Sequence, residues 1–176
     1  MLRKILSYGT VGGLFIGGVV FVLTVTSKDH MPYGMVIGYL TMLVGLSTVF
    51  AAIKRQRDTE LGGVIRFWPA FGLGIGITLV ASVLYVIAWE AALAVTHMDF
   101  GGVYANILVE QEKAKGVSGE ALAKFSAEME QFRMQYASPL YRMPMTFTEI
   151  FPLGLLVSLV SAALLRNSRF LPARRG

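Results

Sequence analysis

Residues 5–26, ILSYGTVGGLFIGGVVFVLTVT, contain no charged side chain, and that run limits what this chain can fold into more than any other feature. As an α-helix of about 22 residues it is about 33 Å long, enough to cross a hydrocarbon core of about 30 Å. A helix is also the form lipid demands, because every backbone N–H and C=O must be satisfied inside the segment. Three more runs of similar character occupy residues 32–53, 67–95 and 147–165. The expected fold class is therefore all-α: a polytopic membrane protein whose four transmembrane helices form one bundle, with residues 1–176 a single membrane domain.

Composition agrees. The chain has 176 residues, is 55% hydrophobic and 15% charged, and carries a mean hydropathy of +0.60, whereas soluble domains carry about 25% charged residues. It has no cysteine, which excludes a disulfide framework, a thiolate metal site and a cysteine nucleophile. Arg3 and Lys4 precede the first run as they would in a signal peptide. That run is too long for one, however, and no A-x-A-like site follows it, so a retained span is expected.

Charge sets the expected direction. With the N-terminus inside, the cytoplasmic cations are Arg3, Lys4, Lys54, Arg55, Arg57, Arg66, Arg166, Arg169, Arg174 and Arg175, against only two acids, Asp58 and Glu60. The other six of the 16 Lys and Arg fall outside, and of these only Lys28 and Arg142 lie close to a span end. The positive-inside rule then puts both termini in the cytoplasm. The net charge of +5 reads as topology and as attraction to anionic headgroups, not as nucleic-acid binding. Trp68 and Trp89 stand about 31 Å apart along the third helix, a spacing that predicts one indole in each interfacial belt. Pro69 suits that helix's first turn, where its missing N–H costs nothing.

Residues 97–145 form the sizeable segment outside the spans. Leu122, Phe125, Met129, Phe132 and Tyr136 recur at helical spacing, with Ser118 as N-cap and Glu120–Lys124 and Lys124–Glu128 as i, i+4 pairs. A shorter helix over residues 103–115 carries Tyr104, Ile107, Leu108 and Gln111 on one side, and Gly116 separates the two. Together they predict an outer amphipathic hairpin between the third and fourth spans. It either caps the bundle or offers a face to a partner or the membrane surface. Pro139 and Pro144 are expected to steer the chain back to the membrane.

Two glutamates are candidate functional residues, because an ionisable group in a membrane helix is costly. Glu90 shares a helix face with Gly72, which would aim it into the bundle; its position after Trp89 equally fits a boundary carboxylate reaching water. Glu149 follows Thr146-Phe147-Thr148, a capping-box pattern with Thr146 as N-cap, so capping competes with function. Two facing glutamates would support a proton- or cation-linked role. His30 and His97, beside Asp29 and Asp99, lack metal-ligand spacing, so no metal or cofactor is expected. The sets Gly9-x-x-x-Gly13-x-x-x-Gly17, Gly34-x-x-x-Gly38 and Gly72-x-x-x-Gly76 predict close helix packing, within one chain or in a homo-oligomer. The loop KRQRDTELGGVIRF offers Lys54, Arg55, Arg57, Asp58, Gly62 and Gly63 as contacts for an anionic lipid or a membrane-protein partner, or simply as a positive-inside anchor with a glycine turn.

That basic string, Gly62-Gly63, a third span ending at Trp89-Glu90 and a helical insert before the last span resemble an uncharacterised bacterial family catalogued as domain of unknown function 4199. The resemblance covers nearly the whole chain. It implies a bacterial inner-membrane location and no activity. Function is expected to be non-enzymatic, in an accessory, assembly or interaction role, since no nucleophile–base or metal constellation is visible. The alternative is a small oligomeric transporter or channel using Glu90 and Glu149.

Overall fold

A computed structural model of the chain describes residues 1–26 and 34–173, the side chain of residue 35 excepted. Six helices follow one another: α1 (Leu2–Thr26), α2 (Gly34–Glu60), α3 (Phe67–Thr96), α4 (Phe100–Ala114), α5 (Gly119–Tyr136) and α6 (Pro139–Leu165). No strand occurs among the described residues. Helices α1, α2, α3 and α6 are long and apolar enough to cross a membrane. Large apolar side chains such as Leu14, Leu40, Val44, Val83, Ile87 and Leu156 point away from the bundle. Water would penalise that surface, whereas lipid does not.

The central helix is α3, which packs chiefly on α1 and α6. The interior stacks in three storeys. Val49, Ile53, Ile65, Leu73, Ile77 and Leu165 fill one end, and Ile16, Met42, Leu46, Tyr85 and Ile150 fill the middle. Trp89, Leu93 and Tyr136 close the other end beneath the hairpin. The first end, with the α2–α3 turn and both termini of the bundle, is the basic end; the second is the hairpin end.

Glycines govern the α1–α3 seam. A Cβ at Gly13 would lie 2.9 Å from the Ala81 Cα, and one at Gly9 would lie 2.6 Å from the Val80 Cβ. Gly17 similarly faces Ala88 and Leu84. Gly76 receives the Ile5 side chain from α1. The remaining glycines of the predicted sets depart from expectation. A Cβ on Gly38 would meet nothing within 4 Å, Gly34 is exposed, and Gly72 is exposed with only Met1 near. Glycines outside those sets make the other close approaches: Gly12 and Gly45 between α1 and α2, and Gly154 against Thr78 between α6 and α3. Thr78 Oγ1 and Ser158 Oγ lie 3.3 Å apart on this seam, and Ser158 Oγ donates to the Gly154 carbonyl at 2.7 Å.

Two element boundaries correct the expected ones. α2 continues to Glu60, so Lys54, Arg55, Arg57 and Asp58 are helical and the turn is confined to residues 61–66. Gly62 and Gly63 make that turn with φ of 62° and 89°, where only glycine is unstrained. α6 begins at Pro139, eight residues earlier than the expected 147, because Ser138 is extended and proline suits the first helical position. Pro139 thus starts the helix, and Pro144 lies inside it. Thr146 is consequently an interior residue whose hydroxyl donates to the Arg142 carbonyl at 3.0 Å, so the capping box with Glu149 does not form.

Arg57 is fully buried. Its guanidinium donates to the carbonyls of Phe170 at 2.8 Å and Leu171 at 2.5 Å, with Leu165 at 3.5 Å, while Nε meets Asp58 at 2.6 Å. Lys54 pairs with the other Asp58 oxygen. The segment after α6 is thereby folded across the basic end, with the Phe170 ring against the lower core. Arg57 is a clamp on the chain's own backbone, so it cannot also be the exposed lipid contact the sequence suggested.

Candidate functional site

The hairpin joins the bundle at its base. Asp99 accepts from the Gly102 amide at 2.9 Å and so caps α4, which starts at Phe100 instead of residue 103. His97 ends α3 in the left-handed region (φ 51°), its amide donating to the Leu93 carbonyl at 2.9 Å. Ser118 stands at the N-cap of α5 as expected, although its side chain makes no capping bond. The predicted stripe Leu122, Phe125, Met129, Phe132 and Tyr136 is the covered face of α5. On α4 the covered residues include Tyr104, Ala105, Leu108 and Glu112, whereas Ile107 and Gln111 are exposed. The pairs Glu120–Lys124 and Lys124–Glu128 do not form. Charge pairing on the hairpin instead links Glu110 to Lys113 and Glu112 to Lys115, each three residues apart.

An aromatic joint seats the base. Trp89 Nε1 donates to Tyr136 Oη at 3.0 Å. Phe100 stands edge-on to Trp89 with ring centroids 5.0 Å apart, and Phe132 packs beside Tyr136. Only 9% of Trp89 is exposed, against 75% of Trp68. The third span's two indoles therefore do different work: Trp68 projects from the basic end, and Trp89 is an internal strut. Burial pushes the Tyr136 hydroxyl above its ordinary pKa, opposed by the Trp89 hydrogen bond and the Arg142 charge.

Around this joint run two arginine–carboxylate pairs. Arg142 reaches Glu90 with Nε at 2.7 Å and Nη2 at 2.5 Å, and its Nη1 donates to the Tyr136 carbonyl at 3.2 Å. Arg133 binds Asp99 at 2.8 Å. A cleft of about 680 Å³ lies between them, lined among others by Glu90, His97, Asp99, Glu130, Arg133 and Arg142. At about 1.5 Å per residue counted from the basic end, a hydrocarbon core of about 30 Å would end near Trp89 on α3 and Thr146 on α6. Glu90 and Arg142 stand just beyond that limit, at the level of headgroups.

Glu149 is about 5 Å inside the same limit. Its carboxylate accepts from Tyr85 Oη at 3.3 Å and has no cationic partner among the described residues. The two glutamates therefore have separate partners and do not form a carboxylate pair. Asp29 and His30 lie outside the described residues. Sequence reasoning missed Arg142 as the partner of Glu90, and Tyr136 as the acceptor for Trp89. The signal for the first was available: opposite charges at matching depth on two neighbouring spans.

The family model described as "Protein of unknown function (DUF4199)" matches residues 7–167. No curated protein and no solved structure matches the chain.

Proposed function

We propose, on the premise that the chain belongs to the DUF4199 family, that it is a non-enzymatic bacterial inner-membrane protein that presents its α4–α5 hairpin to a partner. One observation carries this reading: among the described residues the hairpin meets the bundle at its base, through the Trp89–Tyr136 bond and the Arg142 contact with the Tyr136 carbonyl, while the Arg133–Asp99 pair closes the base of the hairpin itself. From there α4 and α5 bury their apolar stripe against each other, leaving a charged arm of 15 and 18 residues to extend from the bundle. A rigid arm on a fixed base is preorganised for contact, which lowers the ordering cost of binding. Orientation with both termini cytoplasmic follows from the cations at the basic end.

The test is photo-crosslinking in membranes from position 107 on α4 and position 124 on α5, with position 156 on the lipid face as control. Discrete protein adducts at the first two support the reading, and their absence overturns it. Reporter fusions after Ser118 and after Gly176 test orientation; activity of a periplasm-only reporter at Gly176 and silence at Ser118 would reverse it.

A second reading, a small transporter, is favoured by Glu149, a carboxylate on an apolar helix with a tyrosine hydroxyl as its only described polar partner. Proteoliposome flux separates the two. Flux lost in Glu149→Gln and kept in Glu90→Gln supports transport, since Glu90 is already neutralised by Arg142. Background flux in the wild type removes it for the substrates tried.

A further inference from the structure

The basic end carries two kinds of cation. Lys4 is paired with Glu60, and Lys54 and Arg57 share Asp58. Arg3, Arg55, Arg66, Arg166 and Arg169 are all exposed, and none is in an ion pair among the described residues. Their places in the fold differ: Arg3 opens α1, Arg55 lies in the last turns of α2, Arg66 is the N-cap of α3, and Arg166 is the C-cap of α6. Every spanning helix therefore brings to the same end of the bundle one guanidinium with no carboxylate partner among the described residues, that of Arg55 touching only the Tyr8 hydroxyl at 3.5 Å.

The set is also held in place. The Arg57 clamp fixes the backbone at Leu165, Phe170 and Leu171, on either side of Arg166 and Arg169. The Arg169 amide donates to Asn167 Oδ1 at 3.0 Å. Leu171 takes a left-handed φ of 47°, turning the chain toward Gly63, where Ala173 approaches. Arg166 and Arg169 therefore sit on an ordered ledge. Trp68, 75% exposed, projects at the same level, as an indole does at the boundary between headgroup and hydrocarbon.

We infer that this end is a multivalent binding surface for anionic phospholipid headgroups, with Arg66, Arg166 and Arg169 as its principal contacts. Guanidinium matches a phosphate diester through two parallel N–H bonds, and a weakly hydrated cation loses little on reaching the interface. The positions expected from sequence are thus exchanged: Arg57 and Asp58 build the ledge, and the arginines around them bind. The inference needs the membrane reading but not the hairpin's partner or the orientation, so it fails separately from either.

The test is native mass spectrometry of the full chain in detergent, titrated with phosphatidylglycerol or with phosphatidylcholine. Wild type should retain phosphatidylglycerol preferentially, and each arginine replaced should weaken retention about fivefold. The triple variant Arg66→Gln, Arg166→Gln, Arg169→Gln is compared with Lys113→Gln, Lys115→Gln, Lys124→Gln at the hairpin, an equal change of charge. Selective loss in the first triple supports the surface. Equal retention of the two lipids by wild type, or equal loss in both triples, overturns it. Should the first triple fail to fold by circular dichroism, the three single variants carry the same comparison, and no loss in any of them overturns the assignment.

Discussion

Arg142 holds the Glu90 carboxylate through two nitrogens, and this pair ties the first turns of α6 to the last turns of α3. Both side chains are largely covered, at 14% and 17% exposure. Removing one partner strands the other. Glu90→Gln and Arg142→Gln should each cost about 2 kcal/mol, less than a fully buried pair because water reaches this level. The double variant should cost little more than either single. Thermal unfolding in detergent measures the coupling, and purely additive singles would contradict it.

The Trp89–Tyr136 bond joins hairpin to bundle, so Trp89→Phe and Tyr136→Phe should each lose about 1 kcal/mol. Tyr136 also gives a pH dependence. Burial raises its folded pKa, so the unfolded chain ionises first, near pH 10, while the native hydroxyl keeps its proton. Its contribution is complete below about pH 10 and falls as pH rises through the higher folded value. Wild type should lose more stability between about pH 9 and 11 than Tyr136→Phe does; parallel curves would refute the assignment.

Replacing Arg57 by Met removes the donors that hold the Phe170 and Leu171 carbonyls. Asp58 keeps only Lys54 as partner. The expected cost is about 3 kcal/mol or more. Limited trypsin digestion should cut after Arg166 and Arg169 several times faster in Arg57→Met than in wild type. Unchanged cutting rates would show that the clamp does not restrain the tail.

Two glycines with the same sequence context separate packing from mere composition. Gly13→Ala drives a methyl group to 2.9 Å from the Ala81 backbone and should destabilise by about 1–3 kcal/mol. Gly38→Ala meets nothing within 4 Å and should be neutral or stabilise by up to about 1 kcal/mol, as expected of Gly→Ala in a helix. Equal melting temperatures for the two variants would dissolve the distinction.

The spans were legible because lipid imposes one simple demand, about 20 predominantly apolar residues, and the chain meets it four times. The α5 stripe was legible for a similar reason, since periodicity of 3.6 records which face is covered. The start of α6 was not. Polar and proline-containing residues 139–146 read as loop, yet beyond the hydrocarbon a membrane helix need not be apolar, and Pro139 suits a first turn. Glycine spacing identified the α1–α3 contact but gave the same pattern at Gly34, which is exposed, and at Gly38, where a Cβ would meet none of the described residues within 4 Å. Partners across the bundle were the least legible. Arg57 lies in a string of cations that looks solvated, and only the folded path of the tail shows that its charge is spent inside.

The Arg57 clamp grips backbone oxygens and no side chain of the tail. It is therefore indifferent to which residues occupy positions 166–169, provided the main chain follows the same path. The tail can change its charge, from arginine-rich to neutral or acidic, without losing its seat on the bundle. The surface it displays and the hold that displays it are independent, so the chemistry facing the membrane at that end can be rewritten while the fold stays as it is.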